Sequence, residues 1–221
     1  MSAFLASGRI VSVRVGRVVP VDWEPERARP LQTAYQKEAI EGPVRLGTLG
    51  LEGDEQHDRN HGGPERAMLA YPDAHYATWR AELGIPAMGP GGFGENLTVS
   101  GFDERTVCIG DVFTAGETRV QVSQPRGPCA NISRRWSRLD LLQRVIDTRR
   151  FGWYLRVLEP GAIRAGDDYR LIERPFPEWP VERAFVVRHE RTRRRDEAAL
   201  LAQCPALSSH WREQLSAWVR A

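Results

Sequence analysis

Residues 107–131 read VCIGDVFTAGETRVQVSQPRGPCAN, and this stretch decides the fold. Val107–Thr114 and Arg119–Ser123 are rich in β-branched and apolar residues, and Ala115-Gly116-Glu117 between them can form a tight turn. The pattern predicts a β-hairpin whose second strand leads into a loop that carries a cysteine. Short strands separated by glycine turns favour a closed barrel over a doubly wound sheet.

The loop after this hairpin holds Cys129 between rigid and charged neighbours. Pro125 and Pro128 each fix the backbone φ angle near about −65°, so the loop loses little entropy on ordering and fixes the sulfur. Arg126 is permanently cationic, and Arg134 and Arg135 follow closely, so the local charge favours the thiolate, which is the form that attacks and binds metal. The pattern indicates a ligand or a nucleophile. The alternative is a small apolar side chain packed beneath the loop, because free cysteine is often buried.

Length and composition indicate the class of protein. The 221 residues suffice for one large domain, or for a medium domain with a small appendage. Three cysteines without CxxC or CxxH spacing argue against disulfides and a structural zinc site, and for a reducing cytosol. Of these, Cys108 and Cys204 are expected to fill the core.

Charge and hydropathy point away from two classes of partner. The formal net charge of +2 lacks the global basic field that a polynucleotide-binding protein usually shows. No apolar stretch approaches the ~20 residues of a membrane span. We therefore expect a cytoplasmic protein that binds neither polynucleotides nor membranes.

Alternating apolar residues predict further strands outside the hairpin. In the most N-terminal of these strands, Val11, Val13 and Val15 are expected on one buried face. The predicted strands cover Arg9–Val19, Val44–Leu51, Arg66–Tyr71 and Glu95–Val99, with further short strands between Gly152 and Ile172.

Two helices are predicted within this β-rich body. The first starts at Pro72, presents apolar residues three and four apart, and ends at Gly84, a residue suited to a helix C-terminus. The second follows Asp140. The polar, proline-bearing stretch Trp23–Gly42 is expected to form a long loop or a lid.

The proline-rich stretch Glu173–Pro180 is the best boundary in the chain. We predict a barrel domain over residues 1–174 and a three-helix module over residues 175–221. Its helices are predicted over Val181–His189, Asp196–Ala202 and Ser208–Val219, with Ser208 as the N-cap of the last one.

The predicted tail has an apolar stripe but no metal-binding chemistry. About 40 residues are too few to bury a core of their own. The stripe is therefore expected to pack among the tail helices and against the barrel or a second subunit, as in a homodimer. We expect the functional site to lie in the barrel alone. The stripe comprises Leu207, Trp211, Leu215 and Trp218.

A second glycine-rich stretch, residues 50–66, reads GLEGDEQHDRNHGGPER. Its glycines let the backbone approach a ligand closely, and His61 and Arg66 add charge-assisted donors. An anion such as a phosphate is the natural ligand for this combination. The alternative is a turn whose histidines bond only to backbone groups.

Two metal- and nucleotide-binding motifs are excluded by their spacing. His57 and His61 are four residues apart, but Asp58 follows the first, and Gly62-Gly63-Pro64 would break the helix that a zincin motif needs. The stretch Gly91–Asn96 lacks the Gly-Lys-Ser/Thr ending of a P-loop. We therefore expect neither a zincin site nor binding of a nucleoside triphosphate.

Four blocks of sequence, in order, resemble the MOSC domain, the C-terminal domain type of molybdenum cofactor sulfurase, in its YiiM-like branch. They are GLEGDEQHDRNHGGPERA, GFGENLTVSG, IGDVF and VQVSQPRGPCANIS, and ALSSHWREQL resembles the helical module that follows. The resemblance implies a mixed-strand barrel like that of pyruvate kinase and a molybdenum cofactor in a basic cleft. It also implies reduction of N-hydroxylated compounds such as hydroxylaminopurines, with electrons from a separate flavin reductase.

The resemblance assigns roles to individual residues. Cys129 matches the cysteine that ligates molybdenum, and Tyr35 stands where the Thr-x-Ile-x-Lys segment usually has isoleucine. The residues that match cofactor-binding positions are Thr33, Lys37, His61, Gly62, Gly63, Arg66, Asn96 and Arg126.

Three functions remain open at this point. The first is a molybdenum-dependent reductase of N-hydroxylated small molecules, with His57, Asp54 and Glu95 as equal candidates for the proton donor. The second is a sulfur-transfer protein in which Cys129 carries a persulfide. The third is a module that binds the cofactor without catalysing a reaction.

Overall fold

The structure is a computed structural model that describes residues 5–57 and 62–220. It contains strands and helices in the order that follows, with a 3₁₀ turn at Pro64–Arg66. The strands are β1 (Ala6–Val15), β2 (Val19–Val21), β3 (Leu31–Thr33), β4 (Glu38–Ala39), β5 (Val44–Gly47), β6 (Gly50–Leu51), β7 (Met68–Pro72), β8 (Leu97–Val99), β9 (Val112–Ala115), β10 (Thr118–Pro125), β11 (Trp153–Glu159), β12 (Gly161–Ile163) and β13 (Asp168–Glu173). The helices are α1 (Ala74–Leu83), α2 (Asn131–Arg135), α3 (Leu141–Thr148), α4 (Val181–His189), α5 (Arg195–Ala202) and α6 (Ser209–Arg220).

Strands β1, β13, β9, β10, β11, β7 and β8 pair in that order, and β8 pairs back with β1 to close a barrel. β7 and β8 run parallel, and the other neighbours in the ring are antiparallel. The barrel is thus mixed, which confirms the predicted fold class, mainly β with helices. Its interior is filled by aromatic and branched side chains, and Phe113 stacks on Tyr169 with ring centroids 4.2 Å apart.

The first strand differs from its prediction in which residues face the core. Ile10 and Val13 are buried, whereas Val11 is 40% exposed. The pairing of β1 with β8 shifts register between Ile10 and Ser12. Such a bulge adds one residue to the strand and reverses the alternation of its faces. The expected common face of Val11, Val13 and Val15 is therefore wrong.

The stretch predicted as a long loop contains two strands. β3 pairs with β2, with Thr33 opposite Val19, and β4 pairs with the end of β1, with Ala39 opposite Arg14. The longest part of this stretch without a strand belongs to the loop of residues 22–30, which connects β2 to β3. Pairing with β1 and β2 orders a polar segment whose own composition gives no strand signal.

The helices of the barrel follow the prediction with shifted starts. α1 begins at Ala74, because Pro72 is the last residue of β7, and it ends before Gly84, whose φ of 66° is left-handed as predicted. α3 confirms the helix predicted after Asp140. The short helix α2, directly after Cys129, was not expected from the sequence.

The hairpin of β9 and β10 is confirmed, but its first strand starts later than predicted. Residues 107–111 form a turn in which the Asp111 carboxylate accepts the Cys108 amide at 2.9 Å. Arg174 donates to Asp111 at 2.7 Å from the far side. As predicted, Cys108 and Cys204 are buried.

Three helices after Pro180 confirm the predicted helical tail. Leu207, Trp211 and Leu215 are buried, and Trp218 packs against the core from a partly buried position. Ser208 accepts the Trp211 amide at 3.4 Å, which confirms it as the N-cap of α6. Within the described ranges, no helix is long and apolar enough to cross a membrane. The division into domains at residue 174 stays a prediction.

Candidate functional site

A cavity of about 390 Å³ lies between segments that are distant in sequence. Its lining residues lie within the segments 31–37, 54–57, 62–69 and 126–134, and Gly94, Asn96 and Tyr154 complete the lining. Seven of the predicted site residues line it: Thr33, Lys37, Gly62, Arg66, Asn96, Arg126 and Cys129. Gly63 is not among the lining residues, and His61 lies outside the described residues.

Cys129 is presented by a loop that both flanking elements fix. On one side, the Arg126 amide donates to the Gly152 carbonyl at 3.1 Å; on the other, the Ile132 amide donates to the Cys129 carbonyl at 3.1 Å. Cys129 is partly exposed and lines the cavity, whereas the other two cysteines are buried in the core. The alternative of an apolar side chain packed beneath the loop is therefore wrong.

Arg126 is buried in the cavity wall, with 3% of the residue exposed. Its Nη2 donates to the Tyr35 hydroxyl at 3.4 Å, and Nη1 has no partner in the part of the chain that the structure describes. Burial acts to lower the pKa of Arg126, but Tyr35, Tyr154 and Cys129 raise it, and the net pKa lies above its ordinary value. A buried charged donor without a partner needs an acceptor from a ligand or from water.

Lys37, Asp54 and Asn96 form a hydrogen-bonded network in the cavity lining. Lys37 Nζ donates to Asp54 Oδ1 at 2.5 Å, with 8% and 3% of the two side chains exposed. Asp54 also accepts the Gly16 amide at 2.7 Å and Asn96 Nδ2 at 2.9 Å. Asn96 Oδ1 in turn accepts the Leu69 amide at 3.1 Å. The positive charge of Lys37 is thus balanced by Asp54, and the amide of Asn96 is occupied by the protein itself.

The three candidates for the proton donor are placed differently. His57 and Asp54 line the cavity, and Asp54 is engaged in the network just described. Glu95 is fully buried and does not line the cavity. Its carboxylate accepts the Tyr76 hydroxyl, the amides of the glycine-rich loop at 2.6 and 3.1 Å, and the Thr98 hydroxyl at 2.9 Å. Glu95 therefore shapes the loop, and its candidacy as proton donor is contradicted.

Tyr35 is a site residue that the sequence reasoning did not select. Its ring contacts Trp23 edge-on with centroids 5.8 Å apart, and burial raises the pKa of its hydroxyl. A Cβ atom at Gly94 would lie 2.8 Å from this ring, and Gly94 also has a positive φ of 73°. Tyr35 and Gly94 therefore fit each other closely. The unusual residue between Thr33 and Lys37 was the available signal.

Arg134 is a second residue that sequence reasoning placed only in the general basic surroundings. It lines the cavity, and its Nε donates to Glu24 at 2.8 Å, while Nη1 donates to Asn131 at 3.3 Å. The Arg134 hydrogen bond lowers the pKa of Glu24. The bond between Arg134 and Glu24 thereby ties the 22–30 loop to α2.

The donor set favours an anionic ligand. Arg66, Arg126 and Arg134 line the cavity with the thiol of Cys129, and they outnumber Glu55, the lining carboxylate besides Asp54, which balances Lys37. Among the described residues, no group of three or more His, Cys, Asp or Glu side chains could hold a metal ion. A metal ion bound at Cys129 would therefore have to bring ligands that the protein does not supply.

Comparison with known proteins assigns the family. The MOSC domain family model matches residues 57–170, a range that starts in the cavity wall and includes Cys129. The chain belongs to the MOSC-domain family, in its YiiM-like branch.

Individual relatives agree with this assignment. The protein YiiM of Escherichia coli is 38% identical over 161 residues, which is 71% of each chain. The crystal structure of YiiM from Geobacillus stearothermophilus has a TM-score of 0.80 and 31% identity, and covers 96% of this chain and 99% of that one. A protein of Gibberella moniliformis named "Reductase" is 36% identical over 203 residues, which is 90% of this chain but 35% of that protein. The present chain thus spans about a third of that relative.

Proposed function

We propose that the cavity binds a molybdenum cofactor and that the protein reduces N-hydroxylated compounds such as hydroxylaminopurine-type bases. The observation that carries the proposal is that the partly exposed Cys129 shares one cavity with the buried, incompletely partnered Arg126. Membership of the MOSC family supports the cofactor, and the name of the fungal relative supports a reductase.

The residues present fit such a cofactor. The Arg126 Nη1 atom lacks an acceptor within the described residues, and an anionic group in the cavity would supply one. A thiolate is a soft ligand, and it suits a metal that is already held by the sulfur atoms of a pterin dithiolene. Gly62 has a φ of 74° and lines the cavity, so its backbone can approach a ligand closely.

Each group of the chain then has a proposed task. Cys129 would ligate the metal, and Arg126 and Arg66 would hold anionic groups. Lys37 and Asn96 would act through their shared bonds to Asp54, which keep this part of the cavity lining in place. The bound cofactor would supply the two-electron chemistry. Thr33, His61 and Gly63 keep the cofactor-binding roles that the family resemblance implies.

We assign the proton supply to His57, the candidate that is exposed to solvent. His57 is exposed and lines the cavity, whereas the Asp54 carboxylate already accepts three hydrogen bonds. Reduction of an N-hydroxyl group to an amine releases water and consumes two protons with the two electrons. His57 can relay such protons from solvent to the cavity.

The partners and the setting are further parts of the proposal. The family resemblance supports a separate flavin reductase as electron donor and a small-molecule substrate. A homodimer, expected from the apolar stripe of the tail, remains a further proposal. The three cysteines are free thiols, which supports a reducing, cytoplasmic setting.

The test measures metal content and turnover on the same preparation. We expect roughly one molybdenum per chain, and reduction of a hydroxylaminopurine when an artificial electron donor is supplied. Cys108→Ala is the matched control, because Cys108 is a buried thiol outside the cavity. Molybdenum-loaded protein that fails to reduce any N-hydroxylated base would contradict the reductase and favour a cofactor-binding module.

A sulfur-transfer function is the second candidate. It is favoured because the partly exposed thiol of Cys129 shares the cavity with the permanently charged guanidinium of Arg126. This setting suits a persulfide as well as a metal. In that case, the purified protein would contain labile sulfur that is released by a thiol reductant, and no molybdenum. Metal and labile-sulfur analysis of one sample therefore separates the two functions.

A further inference from the structure

The first turn of α6 is attached to the turn that forms one wall of the cavity. Ser209, the first residue of α6, donates its amide to Glu65 at 2.9 Å and its hydroxyl to the same carboxylate at 2.6 Å. Glu65 belongs to the 3₁₀ turn Pro64–Arg66, and its carboxylate lies at the end of the helix where a negative charge is favourable. The helical tail and the barrel are thus joined by charge-assisted hydrogen bonds.

The same turn carries cavity residues on both sides of Glu65. Gly62 precedes it and Arg66 follows it, and both line the cavity. The Arg66 amide donates to the Gly63 carbonyl at 3.0 Å, and this hydrogen bond closes the turn. The Glu65 carboxylate bonds to Ser209 of the tail and does not line the cavity, whereas the following residue, Arg66, does.

Two further contacts fix Glu65 from the barrel side. Arg156 on β11 donates to its carboxylate at 3.1 Å and also to the Ala206 carbonyl of the tail at 3.0 Å. Ser123 on β10 donates to the Glu65 carbonyl at 2.5 Å. Glu65 therefore lies where the tail, the barrel and the cavity wall meet.

Ser208, which precedes Ser209, bonds to the strand that leads to Arg126. The Ser208 hydroxyl donates to Gln124 Oε1 at 2.7 Å, and its amide donates to the Ser123 carbonyl at 2.9 Å. Gln124 lies two residues before Arg126. The start of α6 consequently bonds both to the strand that leads to Arg126 and to the turn that carries Arg66.

We propose that Glu65 is a positioning residue through which Ser209 and helix α6 set the geometry of the Gly62–Arg66 wall. The helical tail is then part of the functional site and not only a cover for apolar surface, contrary to the expectation from sequence. The expected effect on molybdenum retention rests on the proposed function. The expected effect on the turn does not, because it concerns the protein alone.

The test compares four single variants of the full chain by hydrogen exchange. Glu65→Ala removes all contacts of the carboxylate, and Ser209→Ala removes one of them. Ser209→Thr restores the hydroxyl, and Glu197→Gln is the control, because Glu197 pairs with Arg183 and Arg194 within the tail. We expect the amide exchange of residues 62–69 to rise roughly tenfold in Ser209→Ala and more in Glu65→Ala. It should be as in wild type in Ser209→Thr and Glu197→Gln.

Molybdenum content of the same preparations is the second readout. Where the wild type retains molybdenum, Ser209→Ala should lose most of it and Ser209→Thr should keep it. Unchanged exchange at residues 62–69, or an equal rise in α1, would overturn the coupling. A local rise without loss of molybdenum would overturn the link to the site. If even the wild type lacks molybdenum, the proposed function fails, while the exchange data still decide the inference.

Discussion

Arg126 donates to the Tyr35 hydroxyl at 3.4 Å and thereby joins two cavity walls that are 91 residues apart in sequence. Nη1 of the same guanidinium has no partner within the described residues. The family resemblance implies isoleucine at the position of Tyr35, and an isoleucine side chain could not accept such a bond. The hydroxyl of Tyr35 is therefore the group to remove in a test of how Arg126 is held.

Replacing Tyr35 by phenylalanine tests this contact. Tyr35→Phe keeps the ring against Gly94 and Trp23 but leaves the buried guanidinium without its acceptor. We expect the free energy of unfolding to fall by about 1–3 kcal/mol. Urea denaturation measures this change. Tyr35→Ile, which also removes the ring, should lose more, and a Tyr35→Phe variant as stable as wild type would show that Arg126 finds its acceptor elsewhere.

Replacing Arg126 tests the anion-binding role of the guanidinium. We expect Arg126→Ala to lower cofactor retention at least about tenfold, because one charge-assisted contact contributes about 1.5–3 kcal/mol. Arg126→Lys keeps the charge but not the planar fork, so its molybdenum content should be intermediate. Equal metal content in Arg126→Ala and wild type would mean that the arginine acts on the thiol or the substrate instead.

Much of the barrel could be predicted because local patterns determine it. The turn at Ala115-Gly116-Glu117 predicted the hairpin, and Gly84 predicted the end of α1. The loop of Pro125, Arg126 and Cys129 predicted a fixed thiol that acts as a ligand or a nucleophile, because its residue types restrict the backbone whatever lies around it. The structure places Arg126 and Cys129 in the cavity lining.

The rest depends on contacts between distant segments. The bulge beside Val11 arises from the pairing of β1 with β8, and β4 exists because it pairs with β1. The bond between Lys37 and Asp54 joins residues that the sequence analysis assigned to different roles. No local pattern encodes such partners, so the sequence analysis assigned Lys37 to the cofactor alone, whereas the structure pairs it with Asp54.

Replacing Cys129 tests the thiol itself. Cys129→Ala should abolish reductase activity and leave the far-UV circular dichroism unchanged, because prolines and backbone bonds hold the loop. Cys129→Ser should fail as well, since a hydroxyl is a harder and poorer ligand. Cys108→Ala should retain activity. Full turnover in either Cys129 variant would remove this residue from the mechanism.

Because Asp54 balances the charge of Lys37, we expect replacement of Lys37 to destabilise the fold. Lys37→Met leaves the Asp54 carboxylate buried without its cation, which should cost about 3–5 kcal/mol of unfolding free energy. The double variant Lys37→Met/Asp54→Asn should be more stable than Lys37→Met, because no unpaired charge remains. Urea denaturation of the two proteins measures the difference. If the single variant is as stable as wild type, Lys37 serves the ligand and not the wall.

His189 should make the helical tail sensitive to acid. Burial lowers the pKa of His189, whose ring stacks on Phe185 at 3.8 Å between centroids. The His189 ring binds a proton less readily in the folded protein than in the unfolded chain, so neutral His189 favours the folded state. This contribution to stability is complete above the ordinary histidine pKa of about 6.5. It is lost as the pH falls from there through the lower folded pKa. The thermal unfolding temperature of wild type should therefore fall more between pH 7 and pH 5 than that of His189→Gln. The His210→Gln variant is the control, because His210 is exposed on α6, and its unfolding temperature should follow that of wild type. Equal acid sensitivity of wild type and His189→Gln would show that other groups cause it.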